Sequence, residues 1–201
     1  MSKSIPILMV ASSNAGKVRE LGEFLQGLPV EVAMLPNAKN VLQGVESEYD
    51  YEANAIAKAR RAAELFGMMA LGEDSGLEVE HLGGAPGPLS ARFISANASA
   101  GQKNQALLAR LEGVPKGKRA ARFVSVVAIA EPNGEIHVFR GECLGTIALE
   151  TAGEHGFGYD PLFIPDRYDK TFGELGADIK NKISHRALAM AKVREYLASK
   201  Q

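Results

Sequence analysis

Alternation of short apolar runs with amphipathic segments is the feature that most constrains what this chain can fold into. Residues 5–11 (IPILMVA) predict a buried strand, residues 17–28 a helix and residues 30–35 a second strand. A strand, a helix and a strand in this order are typical of the start of an α/β fold. The pattern continues with helices predicted at 50–66, 102–111 and 185–198, and strands at 68–71, 120–130 and 136–139.

Turn residues indicate that the sheet is not purely parallel. The segment PNG at 132–134 separates the strands predicted at 120–130 and 136–139, and such short turns join antiparallel neighbours. We therefore expect a mixed α/β sheet. A chain of 201 residues that is 46% hydrophobic can bury a proper core, and its sequence contains no long linker, which predicts one domain over 1–201.

Charge and cysteine content exclude several classes of protein. A formal net charge of −1 gives no reason to expect stable nucleic acid binding or membrane binding, so any phosphate must be held by a local site. The single cysteine, Cys143, excludes an internal disulfide and a cysteine-based metal cage, and is typical of a small packed residue. Because no apolar run approaches the roughly 18 residues of a membrane helix and no signal peptide is recognisable, we expect a cytoplasmic protein.

The first of four polar clusters is ASSNAGKVRE, residues 11–20. Here a predicted strand leads into a helix that begins with Lys17 and Arg19. Two cations in a first helical turn face the positive end of the helix dipole, which costs a few tenths to about 1 kcal/mol unless an anion is bound there. The segment is not a P-loop, because Ala11 and Val18 stand where glycine and serine or threonine are needed. It indicates a phosphate site, with an ordinary N-cap and surface lysines as the alternative.

The second cluster is SHRALA, residues 184–189. Ser184 is suited to be an N-cap, which places His185 and Arg186 in a first helical turn with the same unfavourable sign of charge. Lys180 adds a further cation upstream. A bound anion or the electron-rich edge of a base would remove the conflict, and a solvated basic turn is the alternative.

The third cluster is HGFGYDP, residues 155–161, in which two glycines flank Phe157. Glycines let a backbone approach a ligand closely, and an aromatic ring between them can stack on a planar ring. The spacing is not that of a Rossmann dinucleotide site. The alternative is a tight loop around a core phenylalanine.

The fourth cluster is the acid pair Glu73 and Asp74, which follows the strand predicted at 68–71. Adjacent carboxylates repel each other, and a cation is the simplest way to keep both ionised. Together with Glu46 upstream they are oxygen ligands of the kind that Mg²⁺ takes. The four histidines have no ligand spacing, so zinc is not expected. Salt bridges from the acids to nearby lysines are the alternative.

Taken together and in this order, the clusters resemble the inosine triphosphate pyrophosphatase family, the enzymes that remove deaminated purine nucleotides. The resemblance runs over nearly the whole chain, through ASSNAGK, NAIAKAR, GEDSGL, LGGAPGPLSARF, FGYDPLFI and KNKISHR. None of these motifs is decisive alone, but their order and gaps are strongly specific. The resemblance implies a long mixed β-sheet with flanking helices, two lobes with a cleft between them, and a homodimer.

The resemblance also implies which residues form the site. Asp74 matches the proton acceptor, and the magnesium ligands would be Asp74, Glu46 and Glu73. The triphosphate-binding loop would be Ser12, Ser13, Asn14, Ala15, Gly16 and Lys17. The next substrate contact along the chain would be Ser75. The base and sugar pocket would be Phe157, Gly158, Tyr159, Asp160, Lys180, His185 and Arg186. Further substrate contacts of lesser weight would be Lys58 and Arg92.

Several positions depart from the pattern common in bacterial members, among them Ser12 and Ser13, which stand in place of Thr-Gly or Thr-Asn and keep a hydroxyl and small size. Glu73 replaces an aspartate, Ala53 replaces a glutamate and Leu89 replaces a tyrosine. Glu52 does not substitute for the missing glutamate, because the next residue of a helix points about 100° away. We expect weakened order around the metal and retained chemistry.

The implied function is Mg²⁺-dependent hydrolysis of ITP, dITP and XTP to the monophosphate and pyrophosphate. The altered acid pair and Ala53 leave a nucleotide-binding protein of the same fold without hydrolysis as an alternative. The septum-associated nucleotide pyrophosphatases share the fold and the reaction, but the SHR and FGYDP motifs favour the deaminated-purine branch.

Overall fold

The structure, a computed structural model, describes residues 5–28, 30–45 and 49–200. Glu46, one of the predicted magnesium ligands, lies outside these ranges, so its role stays a prediction. The strands are β1 (Ile7–Ala11), β2 (Glu31–Met34), β3 (Met69–Val79), β4 (Pro86–Gly87), β5 (Ala120–Ala130), β6 (Ile136–Ile147) and β7 (Phe163–Pro165). The helices are α1 (Ala15–Leu25), α2 (Ala38–Val41), α3 (Tyr51–Phe66), α4 (Ala100–Arg110), α5 (Phe172–Ile183) and α6 (His185–Ser199), with short 3-10 turns at Glu80–Leu82, Ser90–Arg92 and Lys116–Lys118.

The strands form one mixed sheet. Its order is β2-β1-β3-β5-β6-β7, with β4 paired to β3. Strand β1 is parallel to both β2 and β3, whereas β3–β4 and β6–β7 are antiparallel pairs. The predicted hairpin turn is present, since Gly134 donates its N–H to the carbonyl of Glu131 at 3.0 Å. These pairings confirm the predicted mixed α/β sheet with flanking helices.

The chain divides into two compact units. The first comprises Met1–Asp74, Ser125–Gly141 and Leu188–Gln201, and the second comprises Ser75–Val124 and Glu142–Ala187. The core of the first unit is built from Leu8, Val10, Leu21, Leu25, Leu71, Val127, Ile129, Met190 and Val193. The core of the second is built from Leu77, Val79, Leu107, Leu111, Phe123, Ile147, Leu162, Phe163 and Phe172. In the described ranges, no helix is long and apolar enough to cross a bilayer.

Strand β3 is longer than the sequence indicated. The sequence predicts a strand that ends at Leu71, with the acid pair beyond its end, but β3 continues to Val79. The charged residues hid the strand, whose apolar character resumes at Leu77 and Val79, both fully buried. The last residue of β1 in register with β3 is Ala11, opposite Gly72. Glu73 therefore lies just past the end of the neighbouring parallel strand.

Helix α3 packs closely on β3 in the first unit. Asp50 is its N-cap and accepts N–H bonds from Glu52 and Ala53 at 2.8 and 3.2 Å, and Gly67 ends it with a φ of 64°. At Gly72 an added Cβ would lie 2.3 Å from the carbonyl oxygen of Ala55, so the two backbones nearly touch. This contact holds the buried face of α3 directly against the strand that carries the acids.

Helix α5 of the second unit was not predicted. Its start is a capping box, because Thr171 Oγ1 accepts from Glu174 N at 3.3 Å and Glu174 Oε2 accepts from Thr171 N at 2.9 Å. The T-x-x-E signal was therefore present in the sequence. Gly173 and Gly176 obscured it, and Gly176 indeed interrupts the helix with a φ of 73°.

Candidate active site

Asp74 is held by two side chains of α3. Only 6% of Asp74 is exposed, and its Oδ2 accepts a 2.8 Å hydrogen bond from Nδ2 of Asn54. Its Oδ1 lies 3.4 Å from Nζ of Lys58. Asn54 and Lys58 are four residues apart and so share one face of the helix. Both oxygens of the predicted proton acceptor are thus positioned by a single helix, and Asn54 is a contributor that the sequence reasoning missed.

Glu73 is still more deeply buried, with 1% of the residue exposed. Its Oε1 accepts a 2.9 Å hydrogen bond from the hydroxyl of Ser125, and its Oε2 lies 2.8 Å from Nζ of Lys17. Lys17 is also 3.9 Å from Oδ1 of Asp74. The acids therefore do form salt bridges to lysines, as the alternative interpretation of the sequence proposed, but in a buried cluster. Nothing in the sequence around Ser125 indicates that it is a partner of Glu73.

Lys17 reaches the acids from the first turn of α1. Asn14 is the N-cap, with Oδ1 accepting the backbone N–H of Lys17 at 3.1 Å. Ser12 Oγ in turn accepts the N–H of Asn14 at 3.2 Å. No acidic residue stands in this first turn to complement the helix dipole. An ordinary N-cap is therefore present, but Lys17 is not a surface lysine, since 13% of its side chain is exposed.

Another group of contacts lies on the loop that carries Phe157. Oδ2 of Asp160 accepts a 2.7 Å hydrogen bond from the N–H of Phe157 and lies 2.6 Å from Nζ of Lys180. The ammonium of Lys180 sits over the Phe157 ring, 4.6 Å from its centroid. At Gly156, whose φ is 77°, a Cβ would lie 2.0 Å from the same Asp160 oxygen. Phe157 is half-buried, so the alternative of a core phenylalanine is wrong.

The SHR segment is buried as well. Ser184 Oγ accepts the N–H of Ala187 at 3.1 Å, which confirms the predicted N-cap of α6. Arg186 is 1% exposed and donates from Nη2 to the hydroxyl of Ser75 at 3.1 Å. His185 is 4% exposed, and its ring stacks on that of Phe123 at 4.7 Å with a 13° angle between the planes. A solvated basic turn is therefore excluded.

Tyr159 anchors the loop that carries Phe157 to the rest of the second unit. It is 4% exposed, and its hydroxyl donates a 3.0 Å hydrogen bond to the carbonyl of Ser90. Burial raises the pKa of the Tyr159 phenol well above its ordinary value. The Ser90 hydroxyl donates to the carbonyl of Gly87 at 2.6 Å and accepts the N–H of Leu77 at 2.8 Å. Ser90, which the sequence reasoning did not select, thus joins three segments of the second unit.

The predicted site residues fall into two groups, each within one compact unit. The first unit holds Ser12, Ser13, Asn14, Ala15, Gly16, Lys17, Lys58, Glu73 and Asp74. The second unit holds Ser75, Arg92, Phe157, Gly158, Tyr159, Asp160, Lys180, His185 and Arg186. Within the first group, Lys17, Lys58, Glu73 and Asp74 are in contact. Within the second, Phe157, Asp160, Lys180 and Arg186 are in contact.

The donors near Asp74 suit magnesium. Mg²⁺ rarely takes an all-protein cage and is usually held by one or two carboxylates together with phosphate and water ligands, so the carboxylates of Glu73 and Asp74 are donors of the kind it accepts. Among the described residues, no group of three or more histidine, cysteine or acidic side chains forms a complete metal cage. The residues that would hold the metal are therefore Glu73 and Asp74, and the donor chemistry does not favour zinc.

Comparisons with known proteins identify the family of the chain. The model of the Ham1 family matches residues 8–196. A protein of Desulforamulus reducens named a dITP/XTP pyrophosphatase is 47% identical over 190 residues, which are 94% of this chain and 94% of that protein. A HAM1 protein of Coxiella burnetii has a structure that superposes with a TM-score of 0.83 at 34% identity, covering 96% of this chain and 99% of that one.

The Ham1 protein of Staphylococcus aureus superposes with a TM-score of 0.82 at 32% identity, covering 97% of this chain and 100% of that one. These matches confirm the family that the order of the motifs predicted. The chain belongs to the Ham1 family.

Proposed function

We propose that this protein hydrolyses deaminated purine nucleoside triphosphates, ITP, dITP and XTP, to the monophosphate and pyrophosphate. The observation that carries the proposal is the buried Asp74 carboxylate, fixed by Asn54 at 2.8 Å and Lys58 at 3.4 Å with Lys17 beside it. Two cations within 4 Å of this carboxylate can balance the negative charge that builds on phosphoryl oxygens in phosphoryl transfer. The names of the relatives support the choice of substrate.

The metal in this proposal is Mg²⁺, held by Glu73 and Asp74, with Glu46 as a third ligand outside the described residues. When bound, it would supply neutralising charge to the phosphate oxygens and help to orient them. Ser125 would keep Glu73 in place through its 2.9 Å hydrogen bond. Glu73 has one more methylene than the aspartate that it replaces, and the hydrogen bond to Oε1 fixes the position of its carboxylate.

Asp74 would orient the attacking water and accept its proton as the oxygen approaches the α-phosphorus. Asn54 restricts the carboxylate to one orientation, because its amide occupies Oδ2. The phosphate loop from Ser12 to Lys17 would hold the triphosphate, with the backbone N–H groups at the start of α1 facing the anion. Lys17 and Lys58 would balance the charge as pyrophosphate leaves. Ser75 and Arg92 complete the proposed substrate contacts.

The base would be read by the loop of the second unit. Phe157 offers a half-buried ring for stacking, and Gly158 gives the backbone beside it freedom at a φ of 64°. Arg186, together with backbone N–H groups, would donate to the O6 acceptor of hypoxanthine or xanthine. Adenine presents a donor at that position and would leave buried donors unpaired, which discriminates by several powers of ten. The remaining members of the proposed pocket are Tyr159, Asp160, Lys180 and His185.

The assembly and location are also part of the proposal. We propose a homodimer, which the family resemblance supports, and a cytoplasmic location. The near-neutral net charge of −1 supports action on a nucleotide and not on nucleic acid or a membrane. We also propose that residues 1–201 act as one pyrophosphatase domain, which the family match over 8–196 supports. Light scattering on the purified protein tests the dimer directly.

The proposal is tested by pyrophosphate release from ITP, XTP, GTP and ATP with and without Mg²⁺. We expect Mg²⁺-dependent release from ITP and XTP and at least a hundredfold loss in Asp74→Asn, because the amide cannot accept the proton. Including a pyrimidine triphosphate separates the septum-associated pyrophosphatases. Tight binding of ITP without release from any nucleotide would instead identify a nucleotide-binding protein that does not hydrolyse.

A further inference from the structure

The carboxylate pair of Glu73 and Asp74 already has two cations beside it. Lys17 Nζ lies 2.8 Å from Oε2 of Glu73 and 3.9 Å from Oδ1 of Asp74. Lys58 Nζ lies 3.4 Å from the same Asp74 oxygen. The formal charges of these four side chains sum to zero. Their side chains are between 0 and 13% exposed, so the charges compensate each other largely away from water.

Because these four charges are buried and already balanced, binding of a further cation to the cluster is unfavourable. Charges inside a protein are screened far less than charges at its surface, and a buried charge without a counter-charge is costly. A divalent ion on the Glu73 and Asp74 oxygens would meet the ammonium of Lys17 within a few ångströms. The ion and Lys17 therefore compete for the same carboxylates.

Of the two lysines, Lys17 is the one able to leave. Lys58 lies in the interior of α3 and is 5% exposed at its side chain, with Asn54 fixing the other side of Asp74. Lys17 lies in the first turn of α1, next to the exposed residues 13–15. Its stem starts at the helix N-terminus, which itself favours an anion.

We propose that Lys17 exchanges between Glu73 and the triphosphate, and that this exchange couples metal binding to nucleotide binding. This inference rests on the proposed function, because it takes the nucleotide to be a triphosphate bound at the start of α1. As Lys17 moves to the phosphates, Glu73 and Asp74 lose one positive neighbour, which reduces the electrostatic repulsion of Mg²⁺ at these carboxylates. Coupling of this kind is reciprocal, so each ligand raises the affinity for the other.

The test is a titration of the nucleotide-free protein with Mn²⁺, followed by electron paramagnetic resonance, and with Mg²⁺, followed by calorimetry. Lys17→Met keeps most of the length of the side chain and removes its charge. We expect it to bind Mn²⁺ about tenfold tighter than wild type, within the roughly 5- to 150-fold range of such couplings. Arg19→Met is the matched control, because it removes an exposed cation from the same helix, and it should change the affinity by less than about twofold.

A double variant tests whether the gain in metal affinity acts through Glu73. Lys17→Met combined with Glu73→Gln should lose the gain, because the freed carboxylate is then missing. If Lys17→Met does not fold, as judged by circular dichroism, Lys17→Gln carries the same expectation, since it also removes the charge. Its amide can still donate to Glu73, which favours folding. An affinity equal to or below that of wild type in the folded variant overturns the inference.

The metal titration separates this inference from the proposed function. It uses no nucleotide, so the tenfold gain is measurable whether or not ITP is hydrolysed. Hydrolysis of ITP by wild type together with an unchanged Mn²⁺ affinity in Lys17→Met would overturn the exchange alone. A gain in affinity without hydrolysis by wild type would overturn the proposed function and leave the competition between Lys17 and the metal established.

Discussion

Asp160 joins the backbone of Phe157 to the ammonium of Lys180 through a single carboxylate oxygen. Oδ2 of Asp160 accepts the Phe157 N–H at 2.7 Å and lies 2.6 Å from Lys180 Nζ. Asp160 and Lys180 are 2% and 4% exposed. The orientation of the ring proposed to stack on the base therefore depends on a buried ion pair.

Removing the charge of Asp160 is expected to destabilise the protein strongly. Asp160→Asn takes away the anion that the buried ammonium of Lys180 pairs with, and breaking such a pair costs about 3–5 kcal/mol. The free energy of unfolding in urea measures the loss. Asp169→Asn, a change at an exposed acid of the same unit, is the control and should stay within about 0.5 kcal/mol of wild type. Equal stability of the two variants would contradict the structural role given to Asp160.

Gly156 is expected to tolerate no side chain. Its φ of 77° disfavours an L-residue, and a Cβ would lie 2.0 Å from Asp160 Oδ2. Gly134 has a φ of 91° with nothing within 4 Å of an added Cβ, so Gly134→Ala isolates the backbone strain. We expect Gly156→Ala to lose about 1–3 kcal/mol more stability than Gly134→Ala, and to raise the KM for ITP. Equal losses in urea denaturation would mean that Asp160 moves aside without cost.

The hydroxyl of Tyr159 is expected to position the loop that carries Phe157 and not to contact the substrate. Tyr159→Phe removes the 3.0 Å hydrogen bond to the Ser90 carbonyl and keeps the ring, which should cost about 0.5–1.5 kcal/mol of stability. Because the loop carries Phe157, we expect a raised KM for ITP with kcat nearly unchanged. Tyr168→Phe, at a residue that is 37% exposed, is the control. A lowered kcat with an unchanged KM would argue against this positioning role.

Cys143 is expected to be chemically inert in the folded protein. Burial, with a smaller contribution from Asp166, raises the pKa of its thiol from 9.0 to about 12. At pH 8 a thiol-reactive disulfide reagent should label the protein only after unfolding in guanidinium chloride. Rapid labelling of the native protein would contradict the buried position.

The same shift predicts how stability depends on alkaline pH. The folded state holds the Cys143 proton more tightly than the unfolded state, whose thiol titrates near 9.0. The stability linked to this thiol is therefore fully present below pH 9 and is lost as the pH rises from 9 toward 12. Urea denaturation of wild type and Cys143→Ala across this range measures the difference, and parallel pH dependences would refute the linkage.

Local patterns in the sequence were sufficient to predict most elements. The apolar runs of β1 and β2, the alanine-rich face of α3 and the turn at 132–134 are local signals, and the structure contains all of these elements. The order of the polar motifs was enough to predict the family. The extent of β3 was not predictable in the same way, because Glu73 and Asp74 interrupt its apolar pattern and are compensated by residues distant in sequence.

The sequence by itself determined which chemical groups are present and in what order, since propensity, caps and motif spacing are properties of short segments. Only the tertiary structure decided that the cations and acids are buried against each other. Asn54 reaches Asp74 across 20 residues, Ser125 reaches Glu73 across 52, and Tyr159 reaches Ser90 across 69. The energy of a buried charge depends on its neighbours in space, and those neighbours are fixed only when the whole chain has folded.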